Sequence, residues 1–487
     1  MDAEKGIKAA EVSIHSSRND CWVVVNGQVW DVTNFMKTHP GGEDVIFKHA
    51  GNDASYTYNQ AHSPKLLART LPSTNLKGGL VGELPSSWLP IPETTQEKKE
   101  TQSSIPPLST ILSLHDLEAS AKDHLSKKAW AYYSSAATDL VSERANRALW
   151  EKIWFRPRIM RNVKNVNTER IIHGVKSSTP FCVAPAAMAK LANEAGELAI
   201  AKSCAESGVI QCISINASYQ VEEVVAAAPP GTPFFFQIYV NKDRSSSETL
   251  LRRVWDKGIR VLIVTVDAPV PGKREADEKV KTSGTVQTPM TGTLAANDTV
   301  GSGLTRTMGT YIDSELSWDD LDWLRSIWKG KLVLKGIQTV EDAAMAAEAR
   351  VDGIILSNHG GRNLDTSPPG LMVLLEIRKH CPQIFQKVEI HIDGGIRRGT
   401  DILKALCLGA TSVLIGRPFL YSVLYGEEGV AHVIRILKDE LETAMRLAGI
   451  TDLSQVHPGF VTTRELDHLV ETTIHWNSRE YMLKSKM

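Results

Sequence analysis

Two hydrophobic patterns divide the chain. From residue 108 onward, short continuous apolar runs alternate with amphipathic segments. Continuous apolar runs are typical of strands buried on both faces of a parallel sheet, and a 3.6-residue period predicts helices between them. The runs are TPFCVAPAAM, VIQCIS, PFFFQIYV, VLIVTVDAP, LVLKGI, GIILSNHG, VEIHIDGG and SVLIGRPF. Eight strand-then-helix units favour a TIM (β/α)8 barrel, of the α/β class, over an open doubly wound sheet.

The first 85 residues show a different pattern. Short β-like runs in CWVVVNGQVWDVTNF surround a turn at Asn26 and Gly27, and short helical segments follow. This predicts a small α+β domain over residues 1–85, close to the minimum size for independent folding, which a bound cofactor would stabilise. Residues 86–107 combine four prolines with a charged run and predict a solvated linker. Residues 108–487 then form the barrel domain with a C-terminal tail.

Composition narrows the class of protein. The 487 residues include 55 basic and 56 acidic side chains, so no basic excess points to nucleic acid or to an anionic membrane surface. The longest apolar runs are too short to insert into a membrane. Six scattered cysteines without CxxC spacing predict reduced thiols, and no presequence is visible. The expected compartment is therefore the cytoplasm, with the mitochondrial intermembrane space as the alternative.

Polar residues close nearly every predicted barrel strand. In this fold the chemistry occurs at the C-terminal ends of the strands, and a charge at such a position is costly unless it is paired or functional. Satisfied core polar groups could explain one or two of these residues, but not so many on one rim. The strand-end residues are Ala186, Ala187, Ser214, Gln237, Tyr239, Thr265, Asp267, Lys335, His359, Asp393, Gly395, Gly416 and Arg417.

The segment LSNHGGRNLD, residues 356–365, holds the densest group of candidate catalytic residues. His359 is a candidate general base, and Arg362 is a candidate bidentate anchor for a carboxylate. Asp267 would orient His359 and stabilise its protonated form. The alternative interpretation is a turn that carries surface charges.

Two glycine turns after the seventh and eighth strands predict a phosphate site. Arg397 lies at the start of the helix after DGG, and Arg417 follows Gly416. Helix N-termini with arginine bind phosphate, and this is where barrels commonly bind it. Lys335 adds a cation in the mouth of the barrel. FMN fits this pattern, with Lys335 placed to stabilise negative charge on a reduced ring.

Two histidines of the first domain are candidate metal ligands. His39 in THPGGED and His62 in YNQAHSPKLL lie 23 residues apart, each at a helix-breaking turn. A lone histidine is more often a surface or satisfied core residue. Two histidines on opposite sides of a flat prosthetic group would saturate an iron, which suits electron transfer.

The first domain resembles the cytochrome b5 family. The resemblance rests on DCWVVVNGQVWDVTNFMKTHPGGEDVI followed by AHS, and it covers roughly residues 10–84. It implies haem b, with iron held by His39 and His62.

The barrel resembles the FMN-dependent L-2-hydroxy-acid dehydrogenase and oxidase family, through WAYYSSAATD, QIYVNKDR, VTVDAPVPGKRE, LVLKGIQTVEDA, LSNHGGRNLD, DGGIRRGTDILKALCLGA and IGRPFLY. The resemblance implies a catalytic set of His359, Asp267, Tyr239 and Lys335. It implies substrate binding by Tyr132, Tyr239, Arg274, His359 and Arg362. It also implies FMN binding by Pro185, Ala186, Ala187, Ser214, Gln237, Thr265, Lys335, Asp393, Gly394, Gly395, Arg397, Gly416 and Arg417.

The order of the two domains resembles the flavocytochrome b2 family of fungal L-lactate dehydrogenases. This resemblance implies that an L-2-hydroxy acid, L-lactate or a related acid, is oxidised to the 2-oxo acid. Electrons would pass from FMN to haem b and on to cytochrome c or another one-electron acceptor. The alternatives are an oxidase that uses O2 and a haem electron carrier with an inactive barrel. A homotetramer is implied by the resemblance alone.

Three local features depart from the family or from a compact barrel. Ala186 stands where the family commonly has Thr, and Asn216 stands where the wall of the pocket is usually apolar or aromatic. The preferred acid is therefore expected to be larger or more polar than lactate. Residues 271–317 form a long insertion rich in Gly and Thr, which is expected to be a mobile loop over the active site.

Overall fold

The computed structural model describes residues 6–39, 42–61, 66–82, 85, 88, 104–281, 286–295 and 303–470. The chain divides into two compact units, Met1–Ser104 and Ile105–Met487. The division falls within the predicted linker, residues 86–107, most of which lies outside the described part of the chain.

The first unit is built on a five-stranded sheet with the order β1-β5-β4-β3-β2. Its strands are β1 Ile7–Lys8, β2 Ser16–Ser17, β3 Asp20–Val25, β4 Gln28–Asp31 and β5 Leu76–Val81. Its helices are α1 Ala9–Ile14, α2 Thr33–Met36, α3 Glu43–Phe47, α4 Ser55–Ala61 and α5 Leu66–Thr70. In β3, Val23 and Val25 face one apolar cluster and Val24 faces a second, because successive side chains point to opposite faces. The predicted small α+β domain is confirmed.

The second unit contains a closed barrel of eight parallel strands, as the apolar runs predicted. In order around the barrel they are β9 Phe181–Val183, β10 Gln211–Ser214, β11 Phe234–Ile238, β12 Val261–Thr265, β15 Lys331–Ile337, β16 Gly353–Leu356, β17 Glu389–Asp393 and β18 Ser412–Ile415. Every one of the eight predicted strands is therefore present.

The remaining strands are short. They are β6 Trp154–Phe155, β7 Arg170–Ile172, β8 Val175–Ser177, β13 Val286–Thr288, β14 Thr293–Ala295 and β19 Val461–Thr462. β7 and β8 form a hairpin whose turn contains His173. β13 and β14 form a second hairpin within the insertion after β12.

Helices precede the barrel and follow its strands. They are α6 Leu114–His124, α7 Lys127–Ser134, α8 Val141–Glu151, α9 Gly196–Ser207, α10 Val221–Ala226, α11 Arg244–Asp256, α12 Glu275–Lys279, α13 Leu304–Met308, α14 Asp320–Ile327, α15 Val340–Glu348, α16 Gly370–His380, α17 Gly399–Cys407, α18 Arg417–Ser422 and α19 Gly426–Ala448. Several begin at a capping side chain; for example, Ser113 accepts a hydrogen bond from the N–H of Asp116 at the start of α6. Within the part of the chain that the structure describes, no helix has the length and apolar character needed to cross a membrane.

The interior of the barrel is layered. Cys212, Phe235, Ile263, Val333 and Ile355 belong to one apolar cluster inside the barrel. Two residues further along four of these strands stand Ser214, Gln237, Thr265 and Lys335, on the same face. The strands therefore carry an apolar layer directly beneath a polar rim.

Candidate active site

A cleft opens at the C-terminal ends of the barrel strands. Most of the predicted catalytic, substrate-binding and cofactor-binding residues line it. They are Tyr132, Pro185, Ala186, Ala187, Ser214, Tyr239, Arg274, Lys335, His359, Arg362, Asp393, Gly394, Gly395, Arg397, Gly416 and Arg417. The remaining three, Gln237, Thr265 and Asp267, lie behind the wall of the cleft. Gln237 is hydrogen-bonded to Ser214 and to Thr265, and Asp267 is hydrogen-bonded to His359. The sequence-based placement on one rim is therefore confirmed.

His359 is held by three contacts. Its Nδ1 lies 2.9 Å from Oδ1 of Asp267, and its backbone N–H donates to Oγ of Ser357 at 3.0 Å. The hydroxyl of Tyr239 lies 3.4 Å from its Nε2, the atom that faces away from Asp267. The backbone of His359 has a φ of +59°, and the following Gly360 and Gly361 also have positive φ. This left-handed turn costs energy at a non-glycine residue and is typical of a functional site.

The surroundings of His359 favour its neutral, proton-accepting form. Burial lowers the pKa of His359 below its ordinary value, and this effect outweighs the opposing attraction of Asp267. Burial alone would raise the pKa of Asp267, but His359 and Lys335 hold it below the ordinary range. The pair therefore consists of a neutral imidazole and an ionised carboxylate at neutral pH, which is the arrangement of a general base with its orienting partner.

Three arginines give the cleft an excess of positive charge. Among the described residues, no ion pair joins Arg274, Arg362 or Arg417 to a carboxylate, while Lys335 and Arg397 have Asp393 and Glu118 at 3.1 and 3.5 Å. Burial, followed by the repulsion from Arg274, lowers the pKa of Arg362 to about 10. Burial and the repulsion from Arg362 do the same for Arg417. Cations held in a cleft without a counter-charge are unfavourable, so this cleft is built to receive anions.

The side chain of Arg362 is positioned by main-chain carbonyls. Its Nη1 donates to the carbonyls of Tyr133 and Ser135 at 2.9 and 2.8 Å, and its Nη2 donates to that of Tyr132 at 2.9 Å. These bonds fix the guanidinium against the loop that ends α7, with its charge unneutralised. The sequence indicated Arg362 as an anion anchor but gave no sign of this support.

Lys335 and Asp393 form an ion pair in the wall of the cleft. The Nζ of Lys335 donates to Oγ of Ser357 at 2.8 Å and lies 3.1 Å from Oδ2 of Asp393. Although burial acts against the charged form, Asp393 and Asp267 keep the pKa of Lys335 above its ordinary value. The other oxygen of Asp393, Oδ1, is buried and has no hydrogen-bond partner among the described residues. This oxygen can accept a hydrogen bond, and the hydroxyl groups of the FMN ribityl chain would provide a donor for it.

The backbone after β17 and β18 leaves room for a flat, phosphorylated cofactor. A Cβ added at Gly416 would meet only Ala184, at 3.7 Å, so this backbone faces open space. Gly394 and Gly395 have φ of +93° and +78°, and a Cβ at Gly395 would collide with the carbonyl oxygen of Asn146. Together with Asp393 and the arginines that have no carboxylate partner among the described residues, these residues fit FMN.

The expected phosphate contact at the start of α17 is not available. The N–H groups of Arg397 and Arg398 both donate to Oδ2 of Asp401 at 3.0 Å, and that of Gly399 donates to Glu440 at 2.8 Å. Two carboxylates thus already satisfy the first turn of this helix, and an anion there would be repelled. The phosphate site is therefore confined to the arginine side chains and the glycine turns.

Sequence reasoning missed several residues of the cleft. Ser357 bonds both Lys335 and His359, and Asn363 donates to the carbonyl of Asp267 at 2.9 Å. Thr305 and Met308 come from the insertion after β12 and line the cleft. Polar and small residues in irregular segments carry no periodic signal, so only the tertiary structure reveals them.

The first unit presents His39 in the turn between α2 and α3. The Nδ1 of His39 lies 3.3 Å from the carbonyl oxygen of Gly42, and its ring packs edge-on against Phe35. A ligand histidine usually donates one ring N–H to such a carbonyl, which leaves the other nitrogen for the metal. His39 therefore fits a haem ligand, whereas His62 lies outside the described residues.

Comparisons with known proteins identify both units. Residues 121–463 match the model of the FMN-dependent dehydrogenase family, and residues 8–85 match the cytochrome b5-like heme/steroid binding domain. The chain is 41% identical over 472 residues to L-lactate dehydrogenase (cytochrome) of Saccharomyces cerevisiae, covering 94% of this chain and 80% of that protein. It is 40% identical over 466 residues to the protein of the same name from Wickerhamomyces anomalus, covering 93% and 79%.

Solved structures agree with this assignment. A flavocytochrome b2 variant with sulfite bound superposes with a TM-score of 0.68 at 38% identity, over 80% of this chain and 95% of that one. A mandelate oxidase with (S)-4-hydroxymandelic acid superposes with a TM-score of 0.67 at 34% identity, over 72% of this chain and 98% of that one. The chain thus belongs to the FMN-dependent dehydrogenase family and carries a cytochrome b5-like domain ahead of its barrel.

Proposed function

We propose that this protein oxidises an L-2-hydroxy acid, L-lactate or a related acid, to the 2-oxo acid and delivers the electrons to cytochrome c or another one-electron acceptor. The observation that carries the proposal is the His359–Asp267 pair beside three arginines, Arg274, Arg362 and Arg417, that have no carboxylate partner among the described residues. A base next to an anion site suits removal of protons from a substrate that bears a carboxylate. The names of the relatives from Saccharomyces cerevisiae and Wickerhamomyces anomalus support the same reaction.

The substrate carboxylate binds at the guanidinium groups that have no carboxylate partner among the described residues. Arg362 provides the principal contact, and Arg274, which donates to the carbonyl of Arg362 and to Thr305, adds positive charge beside it. The ring of Tyr132 lies 5.5 Å from the Arg362 guanidinium and closes this side of the cleft. The carboxylate thereby neutralises charge that the free protein keeps buried at a cost.

The substrate hydroxyl binds between Tyr239 and His359. The Tyr239 hydroxyl and the His359 Nε2 lie 3.4 Å apart, so that a single substrate hydroxyl can contact both. His359 takes up a proton at Nε2 as the acid is oxidised, and Asp267 at 2.9 Å stabilises the imidazolium that results. The left-handed backbone at His359 and its bond to Ser357 keep the ring in this position.

FMN, when bound, accepts the two electrons of the oxidation, and the haem of the first domain passes them on singly. Lys335, Asp393, Gly416 and Arg417 would hold the flavin, and His39 and His62 would hold the haem iron. Oxidation to the 2-oxo acid releases two electrons and two protons, and His359 handles a proton at the site where the substrate binds.

Visible spectra test the proposed function. Purified protein is mixed anaerobically with L-lactate, and D-lactate serves as the matched control. Bleaching of the flavin followed by reduction of the haem with the L-isomer alone is expected. Haem absorbance that responds to no 2-hydroxy acid contradicts the proposal, and peroxide formation in air at the rate of acid oxidation favours an oxidase instead.

Asn216 makes the wall of the substrate pocket polar. Its side chain is 6% exposed and lines the cleft, and the Tyr311 hydroxyl donates to its Oδ1 at 3.1 Å. This bond orients the amide, and its Nδ2 group has no partner among the described residues. A substrate whose side chain accepts a hydrogen bond therefore gains a contact that the methyl group of lactate does not make.

Replacing Asn216 by Leu is expected to weaken the preference for substrates whose side chain accepts a hydrogen bond. L-glycerate and L-2-hydroxybutyrate have the same size and differ in one terminal hydroxyl, so the ratio of their kcat/KM values isolates the contact. One hydrogen bond is worth about 1.4 kcal/mol, so N216L should lower this ratio roughly tenfold. The Y311F variant, which keeps the amide but releases it, should show a smaller decrease. An unchanged ratio in N216L removes Asn216 as a determinant of specificity.

Two further properties are proposed from the resemblance and the sequence. A homotetramer is the proposed assembly, which light scattering of the 53.5 kDa chain checks directly. The cytoplasm is the proposed compartment, with the intermembrane space as the alternative, and cell fractionation distinguishes them. The six cysteines are free, and five of them are buried, in keeping with a reducing environment.

A further inference from the structure

Three potential metal ligands meet at the N-terminal end of the barrel, away from the cleft. Glu389 and His391 are two residues apart on β17 and lie on the same face of the strand as Asp393. His173 occupies the turn between β7 and β8, with a φ of +49°. A Cβ on Gly353 would lie 2.5 Å from Cε1 of His173, so the first residue of β16 must be glycine for this ring to fit. The β7–β8 turn thus inserts a histidine beneath the barrel strands.

The two imidazoles face each other directly. The Nε2 atoms of His173 and His391 lie 2.8 Å apart, and Nδ1 of His391 lies 2.8 Å from Oγ of Ser412. Glu389 completes the group, with its oxygens 3.7 Å from Nδ1 of His173 and 4.0 Å from Nε2 of His391. One ligand atom from each of the three residues lies within 4.8 Å of the others.

Burial and charge prepare these residues for a cation. The exposed fractions of His173 and His391 are 6% and 2%, so both rings are enclosed by the surrounding chain. Imidazole nitrogens bind metals in the neutral form of the ring. Of the charged groups nearby, Lys331 is paired with Asp352 at 2.9 Å and Arg170 donates to the carbonyl of Thr411. Glu389 has no ion pair with lysine or arginine among the described residues, so its charge is available.

We propose that His173, His391 and Glu389 form a structural binding site for a divalent transition metal, with Zn²⁺ as the best match. Two histidines and one carboxylate are a common ligand set for zinc, and a water completes four-coordination. Ser412 is the outer partner that a ligand histidine usually has, since it fixes the other ring nitrogen of His391. Glu389 is only half-buried, which gives the ion a path from solvent.

Metal binding requires a change of tautomer in one of the two rings. Only one of the facing Nε2 atoms can carry hydrogen in the neutral pair, and that ring must carry its hydrogen on Nδ1 instead when both Nε2 atoms bind the ion. Ligand nitrogens around a tetrahedral zinc are roughly 3.3 Å apart, so the rings must separate by about 0.5 Å. The Glu389 carboxylate must also approach the ring nitrogens. The metal would tie the β7–β8 turn to β17 and stabilise the closed end of the barrel.

Zinc content of the purified holoenzyme tests the site. Protein is expressed with added Zn²⁺, passed over a chelating resin and analysed for zinc per flavin by elemental analysis. Wild type should retain one equivalent that H173N and E389Q lose at least roughly tenfold. H173N is chosen because asparagine tolerates the left-handed backbone at this position. E389Q is chosen because the N–H of His173 donates to both carboxylate oxygens of Glu389 in the wild type, and the glutamine amide keeps one oxygen to accept it. Added Zn²⁺ should raise the Tm of wild type but not that of H173N or E389Q.

An exposed histidine provides the matched control. His115 lies on the surface of α6, so H115N should keep the zinc content and the Tm response of wild type. All variants should keep FMN, haem and L-lactate oxidation close to wild type, because the three ligands lie outside the cleft. Equal zinc contents in wild type, H173N and E389Q overturn the proposal and leave a histidine–histidine hydrogen bond in its place. Loss of 2-hydroxy-acid oxidation in wild type instead counts against the proposed function alone.

Discussion

The H359N variant is expected to oxidise L-lactate about 10²- to 10⁴-fold more slowly than wild type, the usual contribution of a positioned general base. The reason is local: the Nε2 atom of His359 faces the cleft while its Nδ1 is held 2.9 Å from Asp267. Asparagine is chosen because it tolerates the φ of +59° at this position, so the backbone turn should survive. Flavin reduction in anaerobic stopped-flow measures the step directly.

The pH dependence separates the role of the base from a structural role. A base must be neutral to act, so kcat/KM rises as the pH rises through the pKa of His359 in the free enzyme. Because burial lowers that pKa, the acidic limb should lie below the ordinary histidine value. Asp267 raises the same pKa, so D267N should move the limb to still lower pH as well as reduce the rate. Turnover of H359N within about tenfold of wild type, with no change in the acidic limb, would exclude His359 as the base.

Replacing His39 by Ala is expected to abolish haem binding and to reduce cytochrome c turnover to the background without enzyme. The Nδ1 of His39 lies 3.3 Å from the carbonyl oxygen of Gly42, the kind of contact that a ligand histidine usually makes through the ring nitrogen that does not bind the metal. Flavin bleaching by L-lactate should persist in H39A, because every residue that lines the cleft belongs to the second unit. The measurements are haem absorbance per flavin, anaerobic flavin bleaching and cytochrome c reduction.

A neighbouring histidine controls for damage to the first domain. His15 stacks on Trp22 and bonds Asp20, and it matches no ligand position, so H15A should keep the haem. Equal haem contents in H39A and H15A would remove His39 as a ligand. Loss of flavin bleaching in H39A would show that the two units do not function separately as proposed.

The barrel was predictable because its signal is repeated eight times. Each strand lies in a continuous apolar run, polar residues close nearly every run, and closure of the sheet brings those ends together. His359 and Asp267 are 92 residues apart along the chain, yet both follow strand ends and therefore meet. Their contact follows from the fold class rather than from any local motif.

The features that could not be predicted from the sequence are contacts between residues that follow no periodic pattern. The β7–β8 hairpin has strands of three residues, too short to give an alternating signal, so the place of His173 under the barrel was not predictable. His391 lies inside an apolar run, where a single histidine is usually a satisfied core residue. The carboxylates of Asp401 and Glu440 that occupy the start of α17 likewise come from positions four and 41 residues beyond the N–H groups they accept from.

The arginines of the cleft that have no carboxylate partner among the described residues have a practical consequence for the assay. Arg274, Arg362 and Arg417 attract small anions. Phosphate, sulfate or chloride in the reaction mixture should therefore compete with the carboxylate substrate at the same guanidinium groups. Apparent KM values should vary with the identity of the buffer anion, beyond the general screening that ionic strength produces. Rate constants from different laboratories are comparable only when the counterion is matched.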